Sequence, residues 1–101
     1  MKSISAKELR DKLKNKEDIQ IIDIREPYEY EDGALSNENI PLDSMMSSID
    51  RISTDKPVVI YCQSGKRASA IIYMLEKEHN LRNLINLDGG YTTYMEEEYV
   101  L

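Results

Sequence analysis

The nine residues YCQSGKRAS, Tyr61 to Ser69, hold the only cysteine of a 101-residue chain. Cys62 follows the apolar run Pro57–Tyr61 and precedes a short polar loop, Gln63 to Arg67, after which the sequence turns helical in pattern. Gly65 permits a backbone conformation that other residues resist. A tight loop feeding a helix turns peptide N–H groups inward, and the helix N-terminus adds partial positive charge. Lys66 and Arg67 add formal positive charge at the rim. All three effects favour thiolate over thiol and make Cys62 a candidate nucleophile. Gln63, Ser64, Gly65, Lys66 and Arg67 are the matching candidates for binding an anionic substrate. The bland alternative is an inert core thiol, since free cysteine is among the most buried residue types.

Two other readings of the loop are weaker. Gly65-Lys66 resembles part of a nucleotide phosphate loop, but Ile60 stands where the first glycine is needed and Arg67 replaces the magnesium-holding Ser or Thr. A cysteine phosphatase also runs from a strand-end cysteine to an arginine before a helix. Here four residues intervene, Gln63 to Lys66, one fewer than in phosphatase loops. The narrower cradle suits a sulfur atom bonded to the thiol better than a tetrahedral phosphate.

The elements that must position this loop follow from pattern. Ser5 with Glu8 three residues later is a capping box opening a helix over Ser5–Leu13. IQIIDI, Ile19 to Ile24, is a buried strand. In EPYEYEDG, Pro27 suits a first helical turn and Gly33 a stop, so a short helix is expected. NIPL, Asn39 to Leu42, reads as a brief extended piece, because the residue before Pro41 is pushed out of the helical region. Leu42, Met45, Met46, Ile49 and Ile52 share one helical face, with the methionines as core filler. Pro57–Cys62 is a second buried strand and Ala68–Asn80 a helix whose apolar face includes Ile71, Ile72 and Leu75, extended by Tyr73 and Met74. Leu84–Leu87 is a further strand, and Tyr91–Glu98 a last helix. Strands alternating with helices argue an α/β fold with a mostly parallel sheet covered on both faces. Ligands in such sheets bind at the carboxyl ends of strands, which is where Cys62 lies.

Several residues are expected to serve structure. Asp23 and Arg25 flank Ile24 at a strand end and point to one face, placed to pair with each other or tie loops together near the site. Tyr28 and Tyr30 are read as packing residues, Glu96 to Glu98 as a solvated face, and His79 as a helix C-terminal residue favourable to the dipole.

Composition excludes other classes. The formal net charge is −6, with 32% charged and 41% hydrophobic residues. Nucleic acid and anionic membrane, which need a basic surface, are disfavoured as partners. One cysteine makes no intramolecular disulfide. No apolar leader and no spanning-length apolar run are visible, so a cytoplasmic protein made of one domain over residues 1–101 is expected.

Taken in order, the motifs are similar to those of the single-domain rhodaneses, the thiosulfate sulfurtransferase family. IIDIREPYEYEDG resembles the family's strand-Asp-x-Arg-Glu segment. NIPLD resembles the opening of its next helix. PVVIYCQSGKRAS resembles its active-site strand and loop, with Cys62, Gly65 and Arg67 at matching positions, and NLINLDGGYTTY resembles its closing strand, glycine pair and last helix. The resemblance implies a rhodanese-like α/β fold with about five parallel strands flanked by helices. It implies that Cys62 takes sulfane sulfur from a donor such as thiosulfate, becomes a persulfide, and passes the sulfur to a thiol or cyanide. Gln63 to Arg67 would turn their amides toward that sulfur. No metal or organic cofactor is implied. The alternative is a carrier that receives sulfur from a protein desulfurase and relays it with little small-molecule turnover. The chain departs from the family pattern at Gly33–Asn39, where Ala34 replaces a histidine, and at Tyr94, where the family has tryptophan.

Overall fold

The computed structural model describes residues 1–98. Four parallel strands form the sheet: β1 (Lys2–Ile4), β2 (Gln20–Asp23), β3 (Val58–Tyr61) and β4 (Leu84–Leu87), in the order β1-β4-β3-β2. The helices are α1 (Ala6–Lys14), α2 (Pro27–Glu31), α3 (Leu42–Met45), α4 (Lys66–His79) and α5 (Gly90–Glu98), with a 3-10 turn at Ile49–Arg51.

The strand that carries the loop shows why the sheet is covered twice. Every residue of β3 is buried, because side chains alternate across a sheet and both faces are packed. Val58, Ile60 and Cys62 point into a core formed with Met45, Ile52, Ile71, Ile72 and Leu75 of α3, the 3-10 turn and α4. Val59 and Tyr61 point into a second core with Ala6, Leu9 and Tyr94 of α1 and α5. The capping box on α1 is formed as expected: Glu8 N donates to Ser5 Oγ and Ser5 N to the Glu8 carboxylate. Tyr94 fills its position between the helices, and its carbonyl accepts from Arg10 Nη2 at 3.1 Å.

The expected fifth strand is absent among the described residues. NIPL makes a single bridge, Asp23 to Asn39. Asp23 N donates to Glu38 O, Ile40 N to Asp23 O and Leu42 N to Ile24 O, so the segment runs beside the end of β2 past Pro41, and the pairing stops because the chain turns into α3 at Leu42. Asn39 spends its side chain on loop carbonyls instead, donating to Asp23 O and Arg25 O. Conversely, β1 carries no strand pattern in the sequence: of its three residues only Ile4 is buried. It forms because β4 offers an open edge.

The helical face from Leu42 to Ile52 is split rather than continuous. α3 ends at Met45 and the 3-10 turn begins at Ile49, with serines between them. Met45 and Ile52 are buried, and Leu42, Met46 and Ile49 pack against the same core, so the apolar spacing survives the break. α4 starts at Lys66, two residues before the expected start, because Gly65 caps it in the left-handed conformation (φ 98°). Three aromatic or sulfur side chains expected to pack do not. Tyr28 (71% exposed), Tyr73 and Met74 all face solvent.

Candidate active site

Cys62 lies at the carboxyl end of β3, one residue past the strand, with the N-terminus of α4 directly beyond the loop. Its side chain is fully buried. Sγ accepts hydrogen bonds from Gly65 N at 3.0 Å and Ala68 N at 3.4 Å. Both donors belong to the first turn of α4 or its cap, so the sulfur also sits where the helix dipole favours negative charge. The amides are therefore a subset of those expected. Gly65 is the one loop residue whose N–H reaches Sγ, and Ala68, one residue beyond the loop, is a donor that sequence reasoning missed.

The loop's carbonyls are drawn the other way. Tyr91 N donates to Cys62 O at 2.9 Å and Thr92 N to Gln63 O at 3.0 Å. The orphan amides at the start of α5 thus satisfy the loop's acceptors. Gly90 makes this approach possible: its φ is 63°, and a Cβ there would lie 2.5 Å from Cys62 O and 2.6 Å from Gln63 O. The second glycine of the Gly89-Gly90 pair is in this way a part of the site.

The remaining loop residues divide by role. Ser64 and Lys66 are exposed at the outer edge. Gln63 bridges two elements through its side chain: Arg25 Nη1 donates to its Oε1 at 3.1 Å, and its Nε2 donates to Thr92 Oγ1 at 2.8 Å. Arg67 turns to α2, where Nη1 and Nη2 donate to Glu29 Oε1 and Oε2 at 3.0 and 3.2 Å. Such two-pronged pairing fixes direction as well as charge. The Arg67 hydrogen bonds, opposed by partial burial, hold the Glu29 carboxyl below its usual range. Glu29 also accepts from Glu26 N at 3.0 Å, closing a capping box on α2. Nothing in the local sequence marks Glu29, since the contact spans 38 residues.

Asp23 and Arg25 pair as expected. Arg25 Nη2 lies 2.7 Å from Asp23 Oδ2, Arg25 Nε reaches both carboxylate oxygens, and the side chains are 2% and 0% exposed. Burial works against the Arg25 charge, but the hydrogen bonds and field of Asp23 outweigh it, so its proton is held more tightly than usual. The guanidinium lies 4.3 Å from the Tyr91 ring centroid and donates to Gly33 O at 2.7 Å. Arg25 therefore ties the end of β2 to the Gly33 turn, to the cysteine loop through Gln63, and to α5. Tyr61 beside it accepts from Leu35 N, and burial pushes its hydroxyl up to about 12.

Beside the loop is a shallow open depression lined by Gly65, Lys66, Ser69, Tyr73, Met74 and Asn86. Asn86 of β4 is 9% exposed, and its Oδ1 has no hydrogen-bond partner among the described residues. His79 lies at the far end of α4, away from the cysteine.

A strand-end cysteine under helix amides, on a parallel sheet covered by helices, defines a class, and comparison with known proteins agrees. The family model described as Rhodanese-like domain matches residues 5–97, and the chain belongs to that family. Among relatives, it is 37% identical over 92 residues to the uncharacterized protein YqhL of Bacillus subtilis, covering 90% of this chain and 70% of that one. It is 34% identical over 89 residues to the thiosulfate sulfurtransferase GlpE of Pseudoalteromonas translucida, covering 81% and 78%. Among solved structures, a rhodanese-related protein from Thermoplasma volcanium superposes with a TM-score of 0.85 at 28% identity, covering 98% of this chain and 95% of that one. Family and relatives together support sulfur transfer as the general activity. No helix among the described residues is long and apolar enough to cross a membrane.

Proposed function

We propose that the chain is a single-domain sulfurtransferase in which Cys62 carries sulfane sulfur as a persulfide. The observation that supports this most directly is the pair of amides, Gly65 N and Ala68 N, aimed at Sγ from the start of α4. These donors suit negative charge on the sulfur, both in the attacking nucleophile and in the persulfide after transfer. With thiosulfate, the Cys62 thiolate attacks the outer sulfur, the S–S bond breaks, and sulfite leaves with the bonding electrons. An acceptor then attacks the outer sulfur of the persulfide. Cyanide becomes thiocyanate, and a thiol becomes a persulfide, with the Cys62 thiolate regenerated. A thiolate nucleophile needs no general base in either step. Gln63, Ser64, Gly65, Lys66 and Arg67 shape the opening through which donor and acceptor enter, and Asp23 with Arg25 holds it in place. A single thiol without a disulfide partner suits the reducing cytoplasm.

The second reading is a relay that takes sulfur from a protein desulfurase. Its support is that both arginines near the cysteine already carry carboxylate partners, leaving little charge to attract a small dianion. Intact mass spectrometry tests both. The protein is incubated with thiosulfate, or with a cysteine desulfurase and cysteine. One added sulfur on wild type and none on Cys62→Ser supports the persulfide, and no added sulfur from either donor overturns it. Which donor loads Cys62 separates enzyme from relay.

A further inference from the structure

Three cations stand around the cysteine loop: Arg25, Lys66 and Arg67. Asp23 neutralises the first in a buried pair, and Glu29 binds the third through both carboxylate oxygens. Lys66 is the remaining cation and has no carboxylate within 4 Å among the described residues. Glu26, at the cap of α2, adds a further negative charge within Coulombic range of Arg67. The cradle thus gives up much of the positive charge that its sequence advertises.

That balance matters differently to different donors. Thiosulfate brings two negative charges to a thiolate, so three gather where one cation is free. The balanced step is Cys62–S⁻ plus S₂O₃²⁻ giving Cys62–S–S⁻ plus SO₃²⁻, and the departing sulfite is also a dianion. An alkyl persulfide brings one charge: Cys62–S⁻ plus R–S–S⁻ gives Cys62–S–S⁻ plus R–S⁻. The sulfur–sulfur bond broken is the donor's in both cases, and its electron pair leaves with sulfite or with the alkyl thiolate. We infer that Glu29 is a specificity-determining residue, which by occupying Arg67 disfavours dianionic donors and leaves singly charged persulfide donors preferred. This rests on the persulfide reading of Cys62 for its chemistry, but the anion selectivity it describes is a property of the cradle in its own right.

Geometry supports a charge role beyond simple anchoring. Arg67 lies in the first turn of α4 between Gly65 and Ala68, the two residues whose amides bond Cys62 Sγ, so a freed guanidinium would stand beside an anion bound there. Its own side chain is about a third exposed, so it has room to swing. Glu29 remains ionised at neutral pH, because its carboxyl is held below the usual range.

The test is Glu29→Gln, which keeps the size of the side chain and an acceptor for Glu26 N. Steady-state kinetics are measured with thiosulfate and with hydroxyethyl persulfide. The thiosulfate KM is expected to fall about tenfold with kcat within about twofold, while kcat/KM for the persulfide moves less than about twofold. Sulfate binding, followed by NMR at the Gly65 and Ala68 amides, should tighten by a similar factor, and this readout needs no turnover. Glu29→Asp, which keeps the charge but changes the reach, should leave sulfate binding within about threefold of wild type. An unchanged or weakened affinity for both dianions in Glu29→Gln overturns the assignment and makes Glu29 a positioning residue only. The same tightening in Glu29→Asp overturns charge as the cause. If sulfate tightens as expected but neither donor loads Cys62, the sulfur-transfer reading fails and the anion selectivity stands.

Discussion

Replacing Asp23 with alanine removes the carboxylate that accepts from Arg25 N, Nε and Nη2 at 2.7 to 3.0 Å. Arg25 cannot follow it into water. Its side chain is 2% exposed, covered by Tyr91 and anchored to Gly33 O and Gln63 Oε1. A buried charge deprived of its partner costs about 3 to 5 kcal/mol. Domains of this size are stable by about 5 to 15 kcal/mol, so the loss is a large share of the total. At about 4 to 8 °C per kcal/mol, Tm should drop by roughly 12 to 40 °C. Urea unfolding followed by circular dichroism measures the change. Asp23→Asn, which retains an acceptor oxygen without the charge, should lose roughly half as much. The double replacement Asp23→Ala with Arg25→Met should recover much of the stability, because it removes the stranded charge as well as its partner. A loss below about 1 kcal/mol for Asp23→Ala, or a double variant as unstable as the two single losses added together, would refute the claim that this pair is a coupled buried unit.

Other expectations test the site and its frame. Cys62→Ser should abolish thiocyanate formation from thiosulfate and cyanide while lowering stability by less than about 2 kcal/mol, and full activity would sink the proposed chemistry. Gly90→Ala places a methyl group against Cys62 O and Gln63 O at a positive φ, so it should cost about 1 to 3 kcal/mol and slow persulfide formation; thermal melts and sulfur loading read the two effects. Tyr61 ionises at about 12 in the folded chain against 10.0 for an ordinary tyrosine. The unfolded chain therefore loses this proton first, and the contribution present below pH 10 is lost as pH rises toward 12. Urea midpoints across that range should fall more steeply for wild type than for Tyr61→Phe.

Much of this protein was legible in order along the chain. The Ser5–Glu8 capping box, the strands β2, β3 and β4, and the long helix after the loop all come from interactions within a few residues, where pattern speaks directly to physics, although β2, at the sheet edge, is buried only over Ile22 and Asp23. Errors gathered where neighbours in space decide. β1 exists because β4 leaves an edge open, and NIPL stops at one bridge because the chain turns into α3 at Leu42. Tyr73 and Met74 lie at the margin of an apolar helical face that the core does not reach.

The site divides in the same way. The sequence by itself determined a lone cysteine at a strand end, a glycine able to turn the chain, and a helix start beyond it, because these are properties of consecutive residues. Only the tertiary structure decided which amides meet the sulfur, that α5 takes up the loop's carbonyls across the Gly90 contact, and that Arg67 belongs to Glu29. Charge is additive over space rather than along the chain. Lys66 and Arg67 look equivalent as neighbours in sequence, yet among the described residues one meets no carboxylate and the other meets a carboxylate 38 residues away.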